Sequence, residues 1–437
     1  MNQKRAIQWL YEELPVLEQA AVISPETILR IREHYGPVTI QSRRQLALLL
    51  LSVLGALLIG LGVILLLAHN WDTLPRTGRI ILSFSPLLIG QILVGWTLLK
   101  RHNSLAWKEG SGLFLALSVG ASIALISQTY HISGSMSTFL LTWIILGGPI
   151  LYILNASSVA LLYIVGITCW AGAVQSQGGQ AVLFWFLASF LVPHVWQAYD
   201  RNAPGPRMHL LSWAICLALP IALGLVLERR MPGLWVLIYS GTFSSLFIFG
   251  RLIFKDSKLN AFTISGFIGI VILGIVFTYT SSWRHIGWWY YRSAAEYDTL
   301  GVLQDYLLVL LALTSTAVPL VRSVSSRDRL TIAAVGLPLL AIFAFSASSL
   351  GLDNSIIAAV FNLYLLCFGG IVMWYGFARE RLLYINVGMI VLALLIIVRF
   401  FDAHISFTIR GILFILLGFA FLGVNLYLSR KMKETSS

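Results

Sequence analysis

Apolar positions run together in this chain instead of alternating with polar ones. Residues 46–68 read LALLLLSVLGALLIGLGVILLLA without a charge, and about 20 helical residues span the apolar core of a bilayer. In lipid such a run must be a helix, because only a helix satisfies its own backbone hydrogen bonds there. The same pattern recurs and predicts spans at 46–68, 78–99, 110–128, 137–153, 157–173, 181–198 and 209–226. A second group follows at 233–250, 260–280, 301–322, 329–349, 355–376, 383–399 and 408–428. The expected fold class is therefore an all-α integral membrane protein of about fourteen transmembrane helices. The first run follows a charged stretch, so it reads as a span and not as a cleaved signal peptide.

Ahead of the spans, residues 1–45 form the one soluble piece of any size. Ile7, Leu10, Tyr11 and Leu14 share a helical stripe. Ser24, Pro25 and Glu26 are a helix start, with Gly36 as its stop. Two helices this short bury no core of their own, so they are expected on the cytoplasmic face or in the interface; a DNA-binding helix-turn-helix is the alternative. The expected organisation is 1–45 as this pair, 46–226 and 227–430 as two bundle halves, and 431–437 as a tail. Ala56 with Gly60, and Gly120 with Ala124, are small pairs that let membrane helices approach closely.

Composition agrees with the pattern. The chain is 58% hydrophobic and 11% charged, where soluble domains carry about 25% charge. Its net charge of +12 reflects topology and not nucleic acid. With the N-terminus inside, only Arg76, Arg79, Arg229, Arg230, Arg284, Arg292, Arg399 and Arg410 of the 30 Lys and Arg residues fall outside. That asymmetry is the positive-inside signal and puts both termini in the cytoplasm. Cys169, Cys216 and Cys367 lie within apolar spans and read as packing residues, with neither a disulfide framework nor metal-ligand spacing. No nucleotide, metalloprotease or hydrolase motif appears, so no cofactor and no metal is expected.

Sorting polar residues by this topology gathers chemistry on the outer face. The first outer loop carries His69, Asn70, Trp71, Asp72 and Arg76, with Arg79 opening the return span. The second carries Gln128, Tyr130 and His131, and the last Arg399, Asp402 and His404. These twelve residues are the candidate outer-face site. A His beside an Asp serves as a general base with its orienter, as a metal ligand pair, or simply as water-exposed punctuation at a helix end. Trp283, Trp288, Trp289, Tyr290, Tyr291 and Tyr297 read as an interfacial aromatic belt or as a stacking surface for a sugar or lipid head group. Within the spans, Gln91, His194, Asp305, Asn362 and Asn386 stand out, beside the cluster Ser240, Thr242, Ser244 and Ser245. Ionisable groups near mid-membrane are scarce, which weakens a proton-driven antiporter.

The stretch GVILLLAHNWD at 62–72, the Arg-led second span, QTYHISG at 128–134 and the short N-terminal helices resemble bacterial membrane proteins carrying domain of unknown function 2157. The resemblance covers roughly residues 5–175, and beyond that it is best at 386–411. Ser127-Gln128 stands where Gly-Gln is expected. It implies a bacterial inner-membrane location and supplies no catalytic residues. Three functions remain: a transporter or lipid flippase with an outer-face polar site, a membrane transferase using a lipid-linked substrate, or a structural protein. The bilayer is the expected partner, with a lipid-linked or polar small molecule as substrate. A cavity reaching Gln91 and Asn362 would favour transport.

Overall fold

The computed structural model describes residues 9–11, 13–15, 17, 18, 20, 22–35, 73–202, 206–227, 233–253, 260–284, 286, 299–326 and 328–402. It also describes 408, 412, 415, 418, 419, 422 and 423. The chain divides into two compact units, 1–81 and 82–437. In the first, α1 (Pro25–Tyr35) starts as its sequence predicts. The Ser24 Oγ accepts the Thr27 N–H at 3.3 Å, and Leu14 and Ile28 are buried. The expected span 46–68 lies outside the described residues.

The second unit is built of helices. They are α2 (Arg76–Lys100, whose first residues belong to the first unit), α3 (Leu105–Thr129), α4 (Met136–Leu154), α5 (Ser157–Ser176), α6 (Phe184–Ser189), α7 (Val192–Asn202) and α8 (Pro206–Val226). After them come α9 (Leu234–Ile253), α10 (Ala261–Phe277), a 3₁₀ turn at Thr280–Trp283, α11 (Thr299–Ser326), α12 (Arg329–Ser349), α13 (Asn354–Ala378) and α14 (Leu382–Asp402). Among the described residues, nine helices are long and apolar enough to cross a membrane, and α10 and part of α11 are shorter apolar helices. α3, α4, α5 and α8 pack around one core, and α9 sits among α10, α11 and α12 in another, with α13 and α14 beyond. Met208, Cys216, Leu246, Ala261 and Phe262 form a smaller core where α8, α9 and α10 meet.

Close approach is set by glycine where the sequence expects it and elsewhere too. A Cβ at Gly120 would meet the Trp143 ring at 2.6 Å. That ring lies flat against α3, and its Nε1–H donates to the Ala116 carbonyl at 2.7 Å. Between α9 and α10 the contact is tighter, since a Cβ at Gly266 would sit 2.3 Å from the Phe247 amide nitrogen. Any side chain there would have to move backbone.

Residues 181–198, expected as one span, are instead two short helices, α6 and α7, with a break at Phe190 and Leu191. Pro193 is the cause: it has no N–H to give the Ser189 carbonyl, and its ring crowds that carbonyl. Hydropathy alone cannot register one missing donor. The hydroxyl of Tyr152 donates to the Phe190 carbonyl, and Tyr163 donates to the Leu187 carbonyl at 3.1 Å. Neighbouring helices thus satisfy the backbone that the break exposes.

Two prolines inside intact helices are handled in a similar way. Pro86 removes the partner of the Leu82 carbonyl, and the Ser85 hydroxyl donates to it at 3.1 Å. Pro338 removes the partner of the Ala334 carbonyl, and Ser244 on α9 donates across to it at 2.8 Å. Of the other hydroxyls in α9, Ser240 bonds the Leu237 carbonyl of its own helix at 3.1 Å, and Ser245 meets Ser315 of α11 at 2.6 Å.

Ser244→Ala should lower stability by about 1 kcal/mol, the usual worth of one such bond between membrane helices. Added to Pro338→Ala the same change should cost less, because the Ala334 carbonyl regains a partner in its own helix. Denaturation of the four proteins in mild detergent gives the coupling; additive losses would show that Ser244 does not stand in for the proline.

Candidate functional site

The outer-face residues are placed unequally. His69, Asn70, Trp71, Asp72 and His404 lie outside the described residues, and Asp402 is the last residue of α14. Arg76 and Arg79 open α2 within the first unit, where Arg79 Nε donates to the Leu74 carbonyl at 3.1 Å.

Gln128, Tyr130 and His131 form the exposed end of α3. The Ile132 N–H donates to the Ser127 carbonyl at 2.9 Å and the His131 N–H to the Gln128 carbonyl at 3.4 Å. This is a Schellman ending, in which the second bond closes over a residue in the left-handed region, usually glycine. Here that residue is His131, with φ of 49°. The strain is local and small, of order 1–2 kcal/mol. It presents the imidazole on an exposed turn beside Gln128 and Tyr130.

Arg399 faces α10. Its Nη2 donates to the Thr278 carbonyl at 2.7 Å and to the Thr278 Oγ1 at 2.6 Å, and the guanidinium lies 4.8 Å from the Tyr279 ring centroid. A cation at the C-terminus of a helix satisfies a free carbonyl and the helix dipole together. Arg399 therefore ties α14 to the end of α10.

Trp283 is not part of an interfacial belt. It is fully buried, stacks on Phe361 with centroids 5.3 Å apart, and donates its Nε1–H to the Phe277 carbonyl at 2.9 Å. The 3₁₀ turn after α10 folds it back under the bundle. The other five belt aromatics lie outside the described residues. Cys216 is buried, whereas Cys169 and Cys367 are exposed on the outside of their helices and do not pack the core. Among the span residues, Gln91 and Asn386 are exposed, and Asn362 Nδ2 bonds the Ala358 carbonyl of its own helix at 2.8 Å. Neither Gln91 nor Asn362 lines a cavity described below.

Two polar centres were not singled out in the sequence, and both sit at the ends expected to face the cytoplasm. At the first, the Glu109 carboxylate accepts the backbone N–H groups of Ser157 and Ser158, at 3.0 and 2.7 Å. Those are the first amides of α5, so a carboxylate fills the electropositive end of that helix. Arg207 Nη2 then bonds Glu109 Oε1 at 2.6 Å and the carbonyl of Asn155 at 2.7 Å. Asn155 ends α4 in the left-handed region, φ 50°. One carboxylate and one guanidinium thus lock the α4–α5 hairpin to α3 and α8. His194 is buried near this centre, with its ring 6.5 Å from that of Tyr152.

At the second centre, Arg251 Nη2 bonds Asp328 Oδ2 at 2.8 Å, and the Thr331 hydroxyl bonds the same oxygen at 2.6 Å. Arg251 lies over Phe247 and Tyr375, at 5.7 and 5.5 Å from their centroids. Burial alone would push the Asp328 carboxyl up; the Thr331 hydroxyl and the Arg251 charge outweigh it and hold the group below the usual aspartate value. The available sequence signal was an acid directly ahead of a predicted helix start, facing a cation at another helix end.

Along the broken segment lies an open-sided cavity of about 410 Å³, walled by α5, α6, α7, α8, α9 and α10. Its surface is almost wholly apolar, from Ile167, Val195, Ile215, Ala218 and Phe262 among others. Thr168, on its wall, spends its hydroxyl on the Ile164 carbonyl at 2.8 Å. Trp185, also on the wall, donates its Nε1–H to Gln304 Oε1 at 3.3 Å, and Gln304 Nε2 bonds the Val226 carbonyl at 2.9 Å. The space is open on one side, where Val192, Trp196 and Phe249 are exposed. The space suits an apolar occupant.

Residues 16–160 match the family described as predicted membrane protein, domain of unknown function 2157. No curated protein and no solved structure matches.

Two outcomes are expected, one at the second centre and one at the His131 turn. Asp328 has a depressed value when folded, so its contribution to stability is complete above about pH 4, the unfolded aspartate value, and is lost as pH falls through the folded one. The melting temperature should hold from pH 8 to about pH 5 and then drop, and Asp328→Asn should flatten that acid limb; an unchanged limb would remove Asp328 as its cause. His131→Gly should leave stability equal or raise it by about 1 kcal/mol, since glycine adopts the left-handed conformation freely. A fall in stability on thermal unfolding would show that the imidazole is a structural contact.

Proposed function

We propose that this membrane protein, whose residues 16–160 match domain of unknown function 2157, is a transporter of amphiphilic lipids, of the flippase type. In this reading the polar part of the substrate is met on the outer face, at the exposed turn of Gln128, Tyr130 and His131. The observation that carries it is the broken segment α6–α7 lying along the apolar cavity. Broken helices at membrane depth are tolerated where protein or a cavity surrounds them, and transporters place substrate sites beside them. The cavity has the size of a small-molecule site, and its wall suits a hydrocarbon and not a hydrated ion. The basic loops support a bacterial inner-membrane location with both termini in the cytoplasm.

A membrane transferase acting on a lipid-linked substrate is the second reading. It is favoured by His131, which the left-handed turn holds exposed beside Gln128 and Tyr130. An imidazole so presented is suited to proton transfer.

Reconstitution separates the two. In vesicles carrying a phospholipid with a fluorescent head group, the protein should speed the exposure of inner-leaflet lipid to an impermeant quencher. Pro193→Ala, which restores the missing donor and lets α6 and α7 join, should slow it severalfold without loss of folded protein. Vesicles with the unaltered protein that behave like empty ones would overturn the transport reading. Rates unchanged in Pro193→Ala would remove the broken segment from it.

A further inference from the structure

The cavity's shape carries more than its volume. Met208 and Leu219 both line it from α8, and at 1.5 Å per residue they are about 16 Å apart along the helix. Half of a bilayer's apolar core is about 15 Å, so the cavity runs the depth of one leaflet. Met208 stands next to Arg207, at the end of α8 where Glu109 and Asn155 are held. Tyr199, Phe249 and Phe262 line the cavity toward that same end. With the basic loops inside, this is the cytoplasmic end.

The other end is roofed. Trp185 on α6 lines the cavity and is tethered to Gln304 on α11, which is buried and itself bonded to the last turn of α8. A depth of about 16 Å along α8 suits one extended hydrocarbon chain a single leaflet long.

We infer that the α5–α10 cavity holds one acyl chain of a bilayer phospholipid from the cytoplasmic leaflet, with its terminal methyl under Trp185. The chain is what the wall recognises, because hydrocarbon needs no hydrogen-bond partner, and the wall offers almost none. The bilayer supplies such chains at the depth where the cavity lies. Val192 and Trp196 on α7 line the cavity and are more than half exposed, so the cavity is open along α7 and a chain can enter it from the side. The inference rests on the cavity that supports the transport reading, and it names the part of the substrate that cavity takes.

The test uses the full-length protein in vesicles of phosphatidylethanolamine and phosphatidylglycerol that contain a phosphatidylethanolamine with a photoreactive group midway along one acyl chain. After irradiation, labelled peptides are mapped by mass spectrometry. Label is expected on the inward positions Ile167, Ile215 and Ala218 as well as on the outward positions Leu217 and Ile221. Ala218→Phe, which fills the cavity, should lower the inward label about tenfold, as one misfitting group does in an apolar pocket, and leave the outward label unchanged. Leu217→Phe should change neither. Outward label alone on the unaltered protein overturns the inference, and that result needs no variant to fold. Inward label from a free photoreactive fatty acid, but not from the phospholipid, overturns it too. Inward labelling in a protein that fails the reconstitution assay leaves the inference standing and removes only transport; lipid movement without inward labelling does the reverse.

Discussion

A backbone carbonyl in an apolar environment has no water to turn to, so each one freed from a helix must find a donor inside the protein. Much of this bundle's polar chemistry is a response to that constraint. Ser244 serves the carbonyl freed by Pro338, and Ser85 the one freed by Pro86. Tyr152 and Tyr163 serve the break ahead of Pro193. Trp143, Trp283, Gln304 and Arg399 each reach a main-chain carbonyl on or at the end of a helix. Polar side chains within the spans are thus mostly spent on structure, which is why polarity at a span position is a poor guide to a substrate path here.

Charge obeys a related economy at the helix ends. Glu109 with Arg207 and Asp328 with Arg251 are each half-buried pairs bonded to further groups. An isolated pair so placed would gain little over the cost of leaving water. The added bonds, to the first amides of α5 in one case and to Thr331 in the other, are what make the arrangement favourable. These centres fix the hairpin α4–α5 and the start of α12, and the cavity lies between elements they hold.

The cavity and the break belong together. A straight helix through 181–198 would carry its side chains past α5 and α8 in one unbroken register. Pro193 divides it, and the two pieces, braced by tyrosines, stand along a space lined by six helices. Small and branched side chains such as Ala218 and Ile215 wall that space, and Trp185 closes one end.

The sequence by itself determined the helical character, the extents of most helices and the start of α1, because charge-free runs and capping residues act locally along the chain. Ser24 and Pro25 open their helix as read, and α12 begins and ends at the residues its hydropathy marks. It also located the exposed turn at Gln128–His131. Only the tertiary structure decided what depends on partners distant in sequence. Trp283 belongs to the core because the turn after α10 folds back on Phe361. Arg399 ties down α10 because α14 passes Thr278. Glu109 and Asp328 became anchors because other helices bring Arg207 and Arg251 to them. The division of 181–198 rests on a single absent donor at Pro193, beneath what a hydropathy window resolves, and on two tyrosines that make the break tolerable. The cavity has no sequence signature at all: it is the volume left between six helices, and packing in three dimensions alone sets it.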